Sequence, residues 1–290
     1  MSALEAATFD DLVALCAGRR IAVLSGAGCS TESGIPDYRG PGTLRRARNP
    51  IQYRQFIQSP EGRARYWARS ALGWPRFCAA GPNAAHYALA GLERAGVVVG
   101  VITQNVDRLH HAAGSERVVE LHGALADVRC VDCGAKSARE ALQQQLLELN
   151  PGLVEDARFE LAPDGDADPI EDLDEQRFRV PLCAACGAGV LKPDVVFFGE
   201  SVPRERVDRA WAIYEQAELL LVVGSSLAVF SGFRFPRRAA REGRDVAIVN
   251  LGPTRADDLC RLKLAARVGD VLPRLARALT IPADDGSAAS

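Results

Sequence analysis

No apolar run in this chain of 290 residues approaches the ~20 residues that a membrane-crossing helix requires. An excess of either charge is missing too. Lys and Arg number 35 against 37 Asp and Glu, a net charge of −2, so no global field draws the chain to nucleic acid or to an anionic membrane. The amino-terminal stretch MSALEAATFDDL lacks the basic and apolar blocks of a signal peptide and the arginines of a transit peptide, and the expectation is a cytoplasmic protein. No internal repeat is visible. What is present is a soluble globular composition, 48% hydrophobic and 25% charged, long enough for one large domain or one with a small partner.

Cysteine is the informative minority. Of eight cysteines, Cys16, Cys29, Cys78 and Cys260 are scattered in apolar or small-residue contexts and read as ordinary thiols. The other four form two knuckles, Cys130-Val131-Asp132-Cys133 and Cys183-Ala184-Ala185-Cys186, each followed by glycine and separated by 49 residues. In a reducing compartment paired C-x-x-C motifs point to metal before disulfide. Four thiolates suit a tetrahedral zinc ion, and a site closed by four protein ligands has no place for a reactive water. The zinc is therefore expected to be structural, which disfavours a zinc hydrolase.

The chain is organised around Ile21–Arg39, IAVLSGAGCSTESGIPDYR. Its apolar opening predicts a strand buried on both faces. Gly26-Ala27-Gly28 then permits a tight turn and close approach of a ligand, and Ser30, Thr31 and Ser33 read as caps of a following helix. A strand, a turn and a helix N-terminus together favour a phosphate. The third glycine of the dinucleotide fingerprint is absent, since position 31 is Thr. Asp37, Tyr38 and Arg39 place an acid, an aromatic and a base just past the turn, more than plain cofactor binding needs.

Beyond it, 41–82 is basic and aromatic and is expected to form a helical cover. Buried strands are expected at 97–102, 118–121, 194–198, 219–223, 245–249 and 265–268, with helices over 9–17, 84–95, 203–216, 235–242 and 270–279. Strands alternating with helices predict an α/β fold, a doubly wound Rossmann-like parallel sheet. It would comprise 1–123 and 193–281, with 124–192 as a small inserted zinc-binding module, too hydrophilic to be core, and 282–290 as a frayed tail.

Among four histidines, His86, His110 and His111 sit in helical contexts and read as structural. His122 closes a buried strand before a glycine and suits a general base. The motifs around it decide. Gly26–Arg39 resembles the sirtuin signature GAGxSxxSGIPDFR, with Tyr38 for Phe. Thr103–His110 resembles TQNxDxLH, Leu121-His122-Gly123 the catalytic HG, Pro193–Glu200 the PDxVFFGE segment, Gly224–Val229 GTSLxV with Ser225 for Thr, and Ile248-Val249-Asn250 the late strand ending in Asn. The spacing of the cysteine pairs resembles the class II branch that includes the mitochondrial human sirtuin four.

The resemblance implies NAD-dependent removal of acyl groups from protein lysines, yielding nicotinamide and O-acyl-ADP-ribose, with NAD, zinc and acylated peptides as the ligands. It implies cofactor contacts from Gly26, Ala27, Gly28, Ser30, Asp37, Tyr38, Arg39, Gln104, Gly224, Ser225, Ser226, Asn250, Leu251, Gly252 and Val268. Asn105 and Asp107 would orient the nicotinamide ribose, and His122 would deprotonate a ribose hydroxyl. The peptide would pair as a strand between Gly199-Glu200 and Ala228-Val229-Phe230, near Val195 and Phe198. Tyr66 and Arg69, three apart on a helix, resemble a Tyr-x-x-Arg pair that binds acidic acyl groups, against the alternative of a solvated cationic face. The competing activities are protein mono-ADP-ribosylation and, with no second substrate domain to support it, a nicotinamide-dependent dehydrogenase.

Overall fold

Thr8 begins the first helix as its sequence asks: its hydroxyl accepts from the Asp11 N–H while the Asp11 carboxylate accepts from the Thr8 N–H, a reciprocal cap. In the computed structural model, residues 7–38, 50–152, 159–162, 165–169, 175 and 177–280 are described. Within them the chain runs α1 (Phe9–Cys16), β1 (Ile21–Ser25), two single 3₁₀ turns, α2 (Tyr53–Gln58), α3 (Pro60–Cys78), α4 (Ala84–Arg94), β2 (Val98–Thr103) and α5 (Leu109–Ala112). Next come β3 (Val118–Glu120), β4 (Gly123–Cys130), β5 (Lys136–Ala138), α6 (Arg139–Leu149), β6 (Phe159–Leu161), β7 (Ala167–Pro169) and β8 (Leu191–Val195). Last are α7 (Arg204–Glu215), β9 (Leu219–Val223), α8 (Phe230–Glu242), β10 (Asp245–Val249), β11 (Leu262–Leu264) and α9 (Val268–Thr280).

Six strands pair in parallel in the order β11-β10-β9-β1-β2-β3. The chain order reverses between β1 and β9, the topological switch point where open α/β sheets bind ligands. Alternation along the strands builds a core on each face. Ile21 and Val23 of β1, with Leu219, Leu221 and Val223 of β9, pack against Leu12 of α1, Leu89 of α4 and Leu272 of α9. Ala22, Leu24, Leu220 and Val222 point the other way, onto Ile213 and Tyr214 of α7 and Phe235 of α8. This is the doubly wound parallel sheet expected.

Three expectations are corrected. The strand foreseen at 194–198 is Leu191–Val195, and it pairs antiparallel with β4 in a separate sheet, β5-β4-β8; Phe197 leaves the ladder because its N–H turns to the Glu200 carboxylate at 2.9 Å. The last strand is Leu262–Leu264, in register with Ala247–Val249, so 265–268 lies beyond the ladder. The segment 124–192 is not too hydrophilic for a core: Leu125, Val128, Leu142, Leu146, Leu161 and Phe178 are buried with Phe56, Trp67, Trp74 and Phe77 of the cover helices. Apolar side chains spaced along α6 and β4 supply that core. The frayed tail expected at 282–290 and all of 39–49 lie outside the described residues.

Candidate active site and metal centre

The turn after β1 is not an α-helix N-terminus but two 3₁₀ turns, Ala27–Cys29 and Thr31–Ser33. Ser30 makes no cap bond there; its hydroxyl donates to Asp107 Oδ2 at 2.6 Å. Short turns carry little macrodipole, so an anion here would rest on local N–H groups. The turn fits against the end of β9: Gly28 N–H donates to the Gly224 carbonyl at 2.9 Å. A Cβ on Gly28 would sit 2.9 Å from Gly224 Cα, so both positions require glycine for contact alone.

A cavity of about 1020 Å³ opens at this switch point. Every residue that the sequence assigned to base, cofactor or peptide lines it, apart from Arg69 and Arg39. Arg39 lies outside the described residues. Arg69 lines a small separate cavity with Tyr66 and Asp166, and its Nε meets Glu175 at 2.5 Å. Tyr66 lines both cavities, buried edge-on among Phe56, Trp67 and Phe197.

A polar web sets the end of β2. Asn105 Nδ2 donates to the Gly26 carbonyl at 3.1 Å and to Ser30 Oγ at 3.0 Å. Asp107 Oδ1 accepts from the Leu109 N–H at 3.0 Å, and Gln104 Nε2 donates to Ser225 Oγ at 2.8 Å. Asn250 turns back on its own loop, Nδ2 to the Gly252 carbonyl at 2.9 Å. Leu227 adopts φ 56°, a strained conformation secured by its N–H donating to Ser225 Oγ. On another wall, Glu200 pairs at 2.9 Å with Lys192, which is almost wholly buried.

His122 is the one histidine among the residues lining the cavity. Its Nδ1 lies 2.9 Å from the Gln104 carbonyl, which only accepts, so Nδ1 holds the proton and Nε2 the lone pair. Burial lowers its pKa to about 4; the bond to Gln104 opposes this, and Arg206 and Arg234 reinforce it. The imidazole is thus neutral near pH 7, as a base must be. Ser231, 2.7 Å from Nε2, and the two arginines were not foreseen, because residues of α7 and α8 reach His122 only through the tertiary fold.

His86 and His110 are buried, as expected of structural histidines. With Cys29 their donor atoms lie within 4.8 Å of one another. Their hydrogen bonds argue against a metal. Asn83 N–H donates to His86 Nδ1, leaving the proton on Nε2. Ser25 Oγ donates to Thr103 and so accepts from His110 Nε2, leaving the lone pair on Nδ1. An incoming cation would meet the His86 N–H.

The four knuckle thiols form the other cluster. Cys130, Cys133, Cys183 and Cys186 hold their sulfurs within 4.8 Å of one another, and Cys130–Cys186 and Cys133–Cys183 are both 3.8 Å apart. A tetrahedron with arms of ~2.3 Å has edges of about 3.8 Å, so the donor set fits zinc. Gly134 and Gly187 adopt φ 76° and 75°, and their N–H groups donate to the Cys130 and Cys183 carbonyls instead of to thiolates.

The Sir2 family profile matches residues 26–231. This chain belongs to the Sir2 family. It is 54% identical over 246 residues to an NAD-dependent protein deacetylase of Xanthomonas campestris pv. campestris (strain 8004), covering 85% of this chain and 83% of that one. It is 51% identical over 274 residues to NAD-dependent protein deacetylase 1 of Mycobacterium avium (strain 104), covering 93% and 95%. A solved Sir2–p53 peptide–NAD+ complex superposes with a TM-score of 0.74 at 33% identity, covering 93% of this chain and 98% of that one. A Sir2 bound to acetylated peptide gives 0.72 at 31%, covering 93% and 98%. For a Sir2 protein the cavity's contents make sense together: a glycine turn, an ordered amide–carboxylate web and a neutral imidazole on one wall.

Proposed function

We propose that this chain is an NAD-dependent protein lysine deacetylase/deacylase that moves the acyl group of a modified lysine to ADP-ribose and releases nicotinamide. The observation that carries this reading is the single cavity joining the Gly26–Gly28 turn to the lone pair of His122. NAD, when bound, supplies the electrophilic ribose carbon, the leaving nicotinamide and the acceptor hydroxyls. The chain's residues do the rest. The Gly26–Gly28 turn, Ser225 and Ser226 line the phosphate side, and Asn250, Leu251, Gly252 and Val268 the far end. Gln104, Asn105 and Asp107, braced by Ser30, orient the ribose and amide end. The Asp107 carboxylate favours developing positive charge nearby. Tyr38 and Phe198, edge to face at 6.5 Å, close that end against water. His122 Nε2 takes the proton of a ribose hydroxyl.

The acylated peptide lies between Gly199-Glu200 and Ala228-Val229-Phe230, where exposed Phe198, Val229 and Phe230 offer an apolar rim and backbone pairing gives affinity with little sequence choice. In this reading 1–123 with 193–281 carry the cofactor, and 124–192 carry a structural zinc. The 49-residue gap between the cysteine pairs supports the class II branch resembling mitochondrial human sirtuin four. Among the described residues all eight cysteines are unpaired, which suits the cytoplasm. The test is to incubate the protein with NAD and acyl-lysine peptides and identify the products by mass. Free nicotinamide with O-acyl-ADP-ribose supports the reading. Label on protein from adenine-tagged NAD without deacylation would replace it with ADP-ribosyl transfer, and reduced nicotinamide would replace it with a dehydrogenase.

A further inference from the structure

We propose that Ser231, in the first turn of α8, is the positioning residue that aims the lone pair of His122 into the cavity. The inference rests on the deacylase reading above. Both ring nitrogens are engaged: the Nδ1 proton goes to the Gln104 carbonyl at 2.9 Å, and Nε2 faces Ser231 Oγ at 2.7 Å. Since Nε2 holds the lone pair, the serine hydroxyl donates. Turning the ring over would leave a carbonyl and a hydroxyl both facing carbon, at the cost of two buried hydrogen bonds.

Ser231 is not spent on the helix. Residue Val229 occupies the N-cap without a side-chain bond, and among the described residues His122 is the hydrogen-bond partner of the Ser231 hydroxyl. Ser231 is 7% exposed, yet it lines the cavity beside His122. The turn that carries it is seated against the residue that holds the other nitrogen: a Cβ on Gly232 would fall 2.7 Å from Gln104 Cδ. The imidazole is therefore clamped between the end of β2 and the start of α8. Around it, Arg206 of α7 and Arg234 of α8 bring positive charge. The Arg206 charge is partly met by Asp194 at 2.9 Å, which Lys136 shares. A ribose hydroxyl that enters finds Nε2 already oriented and takes its place from, or beside, the serine.

The test compares Ser231→Ala and Ser231→Thr with wild type. In the alanine variant peptide-dependent kcat should fall about ten- to a hundredfold, while the KM for NAD stays within about twofold. Exchange of labelled nicotinamide into NAD, which precedes the base's step, should also hold. Threonine keeps the hydroxyl and should restore most of the loss. In the cofactor-free protein, the ¹⁵N signal of His122 Nε2 should move toward an unbonded lone pair in Ser231→Ala and return in Ser231→Thr. An unmoved Nε2 signal with wild-type kcat overturns the proposal, as does equal loss of exchange, NAD affinity and kcat. If wild type releases no nicotinamide with acetyl-lysine peptides, the functional reading fails, and the nitrogen signals still decide whether Ser231 holds the ring.

Discussion

Replacing Gly28 by alanine is a direct test of the switch-point geometry. The substitution leaves the backbone conformation permissible, so its effect comes from contact alone. The new Cβ would lie 2.9 Å from Gly224 Cα, 3.0 Å from Gly224 O and 3.2 Å from Gly224 C, where ordinary carbon contacts need about 3.5–4.0 Å. All three atoms are backbone, so no rotamer relieves the clash. The two turns are also tied together: Gly28 N–H donates to Gly224 O and Gly26 N–H to Val223 O at 3.1 Å, while Gly224 N–H anchors its own turn to Val249 O of β10 at 3.0 Å. Overpacking of this kind costs about 1–3 kcal/mol. At roughly 2–4 °C per kcal/mol for a chain of this size class, the melting midpoint should fall by about 2–12 °C. The same parting displaces the phosphate side of the cavity, so NAD affinity should drop about tenfold or more, the equivalent of ~1.4 kcal/mol. Gly81→Ala is the control, since nothing lies within 4 Å of its Cβ position. Thermal melting and NAD titration by calorimetry read both effects. If Gly28→Ala melts and binds NAD as Gly81→Ala does, the close apposition of the two turns is wrong.

His122→Ala should abolish deacetylation yet keep NAD binding, measured by product mass and by calorimetry; retained turnover would make His122 structural. Burial holds the His122 and His86 pKa values near 4 and His110 well below its ordinary value, so between about pH 6.5 and 4 the unfolded chain binds more protons than the folded one. Stability present above pH 6.5 should therefore be lost as pH falls through that window, and a melting midpoint that stayed level from pH 7 to 5 would contradict the neutral burial of these rings. Purified protein should carry one zinc per chain, and Cys130→Ser should lose it together with the fold of the small sheet; metal analysis and circular dichroism decide. Arg69→Met should leave acetyl-lysine turnover within about twofold and cause no selective loss on succinyl-lysine, because Glu175 already neutralises that guanidinium; a selective loss on succinyl peptides would restore the Tyr66–Arg69 acyl site.

The parallel sheet was legible because its signals are local. Ile21–Leu24 and Leu219–Val223 are unbroken apolar runs, and burial on both faces is what such runs require. The knuckle cysteines were legible for the same reason, since three-residue spacing is written in the chain. What stayed hidden depends on long-range packing. Nothing near Ser231 or Arg234 advertises that the first turn of α8 meets a histidine more than a hundred residues earlier. The Tyr66–Arg69 spacing correctly set both side chains on one face of α3, but only tertiary structure brings Glu175 to the arginine. The helix assumed after Gly28 failed on a point of chemistry: Ser30 turns its hydroxyl to Asp107 instead of capping, and Gly34, at φ 85°, ends the second turn after three residues.

The four-cysteine module and His122 are parts of one mechanical unit. Strand β4 starts at Gly123, immediately after His122, and β8 ends at Val195, immediately before the segment proposed to hold the peptide. The two strands pair Gly123 with Val195 at this end, and the His122 carbonyl accepts from the Val196 N–H at 2.8 Å. At the far end Cys130 pairs with Leu191, four residues and about 13 Å along β8 by strand rise, where the four thiols gather. A metal with no open coordination position cannot act on substrate, but it can pin one end of the strand pair whose other end sets His122 against the edge proposed for the peptide. The glycine turn belongs to the other sheet, which has cores of its own on both faces. Metal loss should therefore reach the peptide-dependent step before it reaches cofactor binding, and the order in which the two decline on chelation reads that coupling directly.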